Sequence, residues 1–214
     1  MIELLTAISI GLAVLLPLSN PLTTVTLFLG LSSEMTIESR KKTIKETPIY
    51  VFFIMLFSWY SGQAIMNTFG ITIPGLRIAG GIVISYIGFR MLFPTMEENN
   101  KNLDNNSHIS FVPLAMPSTA GPGTIAMIIS MASSVIANED NFSYWVILVA
   151  PPLVFGLLSI ILWACLKCSN MIMKFFGKNG IDAISRLMGF LLICMGVQFI
   201  ITGISNLTHS GFIN

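Results

Sequence analysis

Charge is the scarcest commodity in this sequence. Only 10% of its 214 residues are Asp, Glu, Lys or Arg, while 54% are hydrophobic. A soluble domain carries charge on about a quarter of its residues. So little charge cannot cover a water-facing surface, which excludes a soluble enzyme and a disordered chain. The net charge of +1 removes the basic footprint of a nucleic-acid binder, so no nucleic-acid partner is expected. Two histidines and three cysteines are too few for a disulfide framework or a second zinc-ligand pair. Neither a metal nor another cofactor is expected.

Long apolar runs are what the sequence does have. Residues 4–33, 47–76, 78–89, 105–138, 141–166 and 187–214 contain no charged side chain. A membrane-crossing helix needs about 20 apolar residues. The runs predict an all-α integral membrane protein in contact with the lipid bilayer. It has six spans, at 4–32, 46–67, 74–93, 111–136, 143–166 and 184–206. The first and fourth are long for one crossing, and both contain prolines. The N-terminal run has no preceding Lys or Arg and no small-residue cleavage pattern, so it is expected to be a retained helix.

Basic residues fall on one side of this arrangement. Arg40, Lys41, Lys42, Lys45, Arg90, Lys101, Lys167, Lys174, Lys178 and Arg186 flank the second, fourth and sixth crossings' inner ends, leaving only Arg77 opposite. The excess marks the cytoplasmic side, with both termini outside. The Asn-rich stretch 94–110 is a polar cytoplasmic connector between a first half, 1–93, and a second, 111–214.

The halves repeat one another. Pro17-Leu-Ser-Asn-Pro21-Leu-Thr-Thr24 matches Pro117-Ser-Thr-Ala-Gly-Pro122-Gly-Thr124, and Ser33 follows Pro21 at the spacing at which Ser134 follows Pro122. Gly70-Ile71 before Arg77 and Gly80 matches Gly180-Ile181 before Arg186 and Gly189. Three spans per half is odd, so the second copy enters the membrane inverted. Inverted repeats are a recurrent transporter architecture, with the substrate site at the repeat interface.

Proline removes a helix hydrogen bond and clashes with the preceding turn. Pro17 with Pro21, and Pro113 and Pro117 with Pro122, are expected to break helices one and four. Backbone groups freed there must face protein or water, not lipid. Small polar side chains sit at the same places. Ser19, Asn20, Pro21 and Thr24 on one side, and Ser118, Thr119, Gly121, Pro122, Gly123 and Thr124 on the other, form the candidate substrate-binding set. New helix starts present amides to a carboxylate, and unwound carbonyls suit an ammonium group or cation.

No Asp or Glu lies well inside a span, and His108 and His209 lie outside them. A carboxylate proton relay is therefore not visible, and neither is the acid–base pair of a hydrolase. The chain is not expected to be an enzyme. Arg77 and Arg186 are expected to snorkel to the interface, the alternative being a gate or a partner for a substrate carboxylate. Tyr60, Gln63 and Gln198 are expected to bond between helices, and Cys165, Cys168 and Cys194 to be apolar fillers. Gly81 with Gly88, and Gly189, Gly196 and Gly203, recur every seven residues, the spacing of a close-packing helix face.

Residues 15–24, 69–81, 111–127 and 184–191 together resemble the MarC/SnatA (UPF0056) family of bacterial inner-membrane proteins, along nearly the whole chain. The resemblance implies six spans and an inner-membrane location, in which the outward termini of the charge pattern would be periplasmic. Some members carry small neutral amino acids, which implies a transporter of a small neutral solute here. A passive channel and a non-transporting membrane scaffold are the alternatives. Homo-oligomerisation stays open.

Overall fold

The computed structural model describes residues 2–32, 35–93, 114–115, 119–137 and 143–209. Its elements are all helical: α1 (Ile2–Ser19), α2 (Pro21–Ser32), α3 (Ile37–Phe69), α4 (Ile73–Leu92), α5 (Pro122–Ala137), α6 (Tyr144–Lys167) and α7 (Ser169–His209). Among the described residues, Ile2–Ser32, Ile73–Leu92, Tyr144–Lys167 and Ser169–Thr208 are long and apolar enough to cross a membrane. The connector 94–110 and the Glu139–Asp140 turn lie outside the described residues.

The surface has the polarity of a lipid-facing one. Phe53, Phe57, Leu187 and Ile201 are more than half exposed, whereas Ser19, Asn20, Thr24, Thr119, Thr124 and Ser130 are buried. Apolar groups point out, and hydroxyls point in. A soluble fold would reverse this, because exposed apolar area is costly in water.

Two expected boundaries move. The second span was expected at 46–67, yet α3 begins at Ile37, so Arg40 to Lys45 lie on a helix and not in a loop. Thr36 caps it, accepting from the Ser39 amide, and Lys42 pairs with Glu46 at 3.7 Å. Arg, Lys and Glu are good helix formers, so the helix extends past its apolar part. At the other end Gly70 adopts the left-handed conformation (φ 63°) and stops α3. The sixth span was expected at 184–206. Its helix reaches back to Ser169, with one non-helical residue, Gly177, at φ 64° and ψ 172°.

α4 and α7 form the closest helix pair. A Cβ on Gly81 would meet the Gly196 carbonyl oxygen at 2.5 Å, and one on Gly88 would meet that of Gly189 at 2.5 Å. The converse holds: a Cβ on Gly196 or Gly189 would lie 2.6 or 2.7 Å from the Gly81 or Gly88 oxygen. Gly203 packs on Pro74 and Ile78. Numbers rise on α4 as they fall on α7, so the helices run antiparallel. The seven-residue glycine spacing therefore serves close backbone approach, as the sequence suggested.

Elsewhere prolines are accommodated. Pro152 sits inside α6, where its ring displaces the carbonyl four residues earlier, that of Leu148. The Tyr60 hydroxyl of α3 donates to that carbonyl at 3.0 Å. Tyr60 thus bonds between helices as expected. Replacing Tyr60 by Phe should cost about 1 kcal/mol of stability. Thermal unfolding in detergent reads this, and an unchanged midpoint would show that the bond contributes nothing. Gln198 departs from expectation. Its amide donates to Thr202, one turn along the same helix, at 3.4 Å. The Gln63 side chain lies outside the described residues.

Candidate functional site

The first break falls at one residue. α1 runs unbroken through Pro17 to Ser19, contrary to the expectation that both prolines open the helix. Proline is tolerated within membrane helices when neighbours and local adjustments compensate. The break is at Asn20, whose φ of +32° is the only positive value among described non-glycine residues. Asparagine tolerates such backbone better than most side chains. Pro21 then opens α2 at its first position, where a missing amide hydrogen costs nothing. Asn20 Oδ1 accepts from the Thr23 amide at 3.3 Å and so caps the new helix.

The second break is built alike. Pro122 is the first residue of α5, and the preceding turn is wide: the Ala120 amide donates to the Ala115 carbonyl at 2.8 Å, five residues back. Gly123 packs against Ile84 and Ile87 of α4, where a Cβ would come within 3.3 and 3.1 Å. Gly121 is buried, and Pro122 is exposed. Pro113, Pro117 and Ser118 lie outside the described residues.

The two breaks meet through their hydroxyls. Thr24 Oγ1 and Thr119 Oγ1 are 3.0 Å apart, both buried. Thr24 Oγ1 also lies 3.3 Å from the Asn20 carbonyl, and Thr119 Oγ1 lies 3.1 Å from that of Leu114. Either hydroxyl can donate to the other, so the donor direction can reverse without any heavy atom moving. Thr124 does not join this contact; its hydroxyl donates to the Thr119 carbonyl at 3.2 Å. Ser19 Oγ is buried at the break with no hydrogen-bond partner among the described residues. The Asn20 amide reaches the Met91 sulfur at 4.0 Å, a weak contact that leaves its donors underused.

Two polar contacts here were not foreseen. Thr23 Oγ1 of α2 lies 3.0 Å from Ser185 Oγ of α7. Arg77 of α4 turns inward, its Nε 3.4 Å from the buried Ser130 Oγ of α5, and does not simply snorkel. Arg186 is exposed, as expected of a snorkelling residue. Serines occur throughout the chain, so spacing alone did not distinguish Ser130 and Ser185.

An apolar cavity of about 100 Å³ lies behind the first break, among Gly11, Leu15, Trp59, Ile128, Val154 and Phe155. A wider groove runs between α3 and α5 past Phe53, Phe57 and Ile125. Neither is lined by Asn20, Thr24 or Thr119, which are packed together. Among the described residues no group of three His, Cys, Asp or Glu side chains could hold a metal. Cys165, Cys168 and Cys194 are free thiols.

Comparison with known proteins matches this chain to one family. The profile described as MarC family integral membrane protein covers residues 5–208. The UPF0056 inner membrane protein MarC of Escherichia coli is 56% identical over 214 residues, spanning 95% of this chain and 96% of its own. Its counterpart in Citrobacter koseri is 58% identical with the same coverage, and that of Salmonella paratyphi A is 56% identical. No solved structure matches the chain. The extent and identity of these matches show that the chain belongs to the MarC family of integral membrane proteins.

Proposed function

We propose that this protein is a carrier of a small neutral or zwitterionic solute, with amino acids the first class to test. It would sit in the bacterial inner membrane, termini outward. The observation that carries the reading is the buried hydroxyl contact between Thr24 and Thr119, which joins the proline-started half-helix α2 to the turn just before the proline-started half-helix α5. Such paired breaks leave backbone donors and acceptors for a ligand where lipid offers none. Asn20 and the unpartnered Ser19 hydroxyl add polar groups at the same place. Thr24, Thr119 and Thr124 would orient the solute, with Ser118 placed there by sequence alone.

The reading includes six spans arranged as two inverted three-helix repeats. The antiparallel α4–α7 seam supports this, since corresponding glycines of the two halves meet reciprocally. α3, at 33 residues, and α5, which completes the broken fourth helix, would supply the remaining spans. The contact is built from hydroxyls and backbone carbonyls, which suits a cargo without net charge. The chemistry offered is binding and not bond cleavage.

Counterflow into proteoliposomes, with labelled alanine, serine, threonine and glycine, tests the reading. Saturable exchange is expected, and Thr119→Ala should reduce it by about tenfold or more, the scale of a hydrogen bond to a charged group. Exchange unaffected by Thr119→Ala in folded protein would move the site elsewhere. Non-saturating flux would replace the carrier by a channel. No flux of any of the four would remove these amino acids and favour a scaffold.

A further inference from the structure

We propose that Arg77–Ser130 and Thr23–Ser185 are two latches that open alternately, each holding one broken-helix arm on a fixed α4–α7 frame. The inference rests on the carrier reading above, and adds to it which parts move and what holds them.

The frame follows from the seam. Glycine backbones in mutual contact, flanked closely by Ser85, Leu192 and Ile200, mean that α4 and α7 would lose dispersion contacts along the whole pair if they slid or tilted. The broken helices touch the frame over a smaller area, α5 with Ala126 against Gly80. α2 rests on α7, and the Thr23–Ser185 hydroxyl contact ties them at 3.0 Å. α5 rests on α4, where the Arg77–Ser130 contact ties them at 3.4 Å. Each latch therefore joins a half-helix of one half of the chain to the frame helix of the other.

The latches lie at opposite ends of the frame. Gly203 of α7 packs on Pro74 and Ile78, level with Arg77. Ser185 lies beyond Gly189, which faces Gly88 near the other end of α4. Eighteen residues of helix between Ser185 and Gly203 span about 27 Å. Thr24, next to Thr23, holds Thr119, so release of Thr23 from Ser185 frees α2 directly beside the hydroxyl contact. Release of Ser130 from Arg77 frees α5 at the far end. At the Ser185 end Arg40 also stacks on Phe28 of α2 at 5.4 Å and donates to Asn170 at 3.3 Å, a further tie on that side. Both latches are made in this structure.

A single reporter cysteine tests the proposal. Thr124→Cys is placed in a protein whose three native cysteines are replaced by serine, and the buried thiol is labelled by a small membrane-impermeant methanethiosulfonate. The reagent is applied separately to each face of oriented vesicles. Ser130→Ala should raise the labelling rate about fivefold from the Arg77 face only, the scale of one lost hydrogen bond. Ser185→Ala should raise it by a similar factor from the opposite face only. Serine-to-alanine changes remove the hydroxyl without adding volume, and Arg77→Lys serves as a second variant of the first latch. Acceleration from the same face in both variants, or unchanged labelling from both faces in protein with a native melting temperature, overturns the latches. Counterflow is read separately in protein that keeps Thr124: labelling that changes sides as expected while that protein shows no counterflow would uphold the latches and overturn the carrier reading. Intact counterflow in the protein that keeps Thr124, with unchanged labelling of the reporter, would do the reverse.

Discussion

Gly88→Ala should destabilise the protein by about 1–3 kcal/mol, the usual cost of forcing extra volume into a packed contact. The new methyl would meet the Gly189 carbonyl oxygen at 2.5 Å and the Ile193 amide nitrogen at 2.9 Å. Neither neighbour is the end of a flexible side chain, so the helices must part. Parting them loosens the facing Gly81–Gly196 contact as well, because the same two rods carry both. Gly156→Ala in α6 is the matched control, since nothing lies within 4 Å of its added methyl. Alanine is the better helix former there by up to about 1 kcal/mol, so that variant should be neutral or slightly stabilised. Thermal unfolding of both variants in one detergent makes the comparison. Equal midpoints would mean that the seam is not under the contact its geometry describes.

Asn20 separates backbone from side chain. Asn20→Gly keeps the positive φ at no steric cost and loses only the cap, a few tenths of a kcal/mol. Asn20→Ala loses the cap and also places a Cβ in the left-handed region, for a total of about 2 kcal/mol. Alanine should therefore melt below glycine. Function should follow a different order. In the carrier reading the side chain itself contacts cargo, so both variants should lose counterflow by about tenfold or more. Activity that recovers in the glycine variant would give Asn20 a purely conformational role. Equal stability of the two would contradict the backbone geometry at the break.

The break positions were half visible in the chain. Pro21 and Pro122 are each the first residue of a half-helix, where the ring fits and no donor is lost. Pro17 misled, because a proline does not stop a helix when its neighbours take up the strain; the turn came three residues later, at Asn20. Charge-free windows found α4 and α6 to within a residue or so but misjudged α3 and α7. Those windows measure what tolerates lipid, and helices continue into water when Arg, Lys and Glu follow. The glycine face was readable because seven-residue spacing has a direct geometric meaning. Arg77 reaching Ser130, and Thr23 meeting Ser185, were not, since they join residues far apart in the chain by an exact fit of neighbouring helices. The pairing of Thr24 with Thr119 was anticipated only as two sets facing each other, without the atoms that touch.

The glycine seam also sets an order for synthesis. α4 leaves the ribosome early, while Gly189 and Gly196, which cover its bare backbone, belong to the last helix made. Until then the early half has inserted but lacks its mate, with a groove facing lipid that only the final helix fills. A chain stopped before α7 would thus be a membrane-inserted but unfinished protein, open to attack by membrane quality-control proteases. Completion of the last helix is the step that turns an assembly intermediate into a durable one.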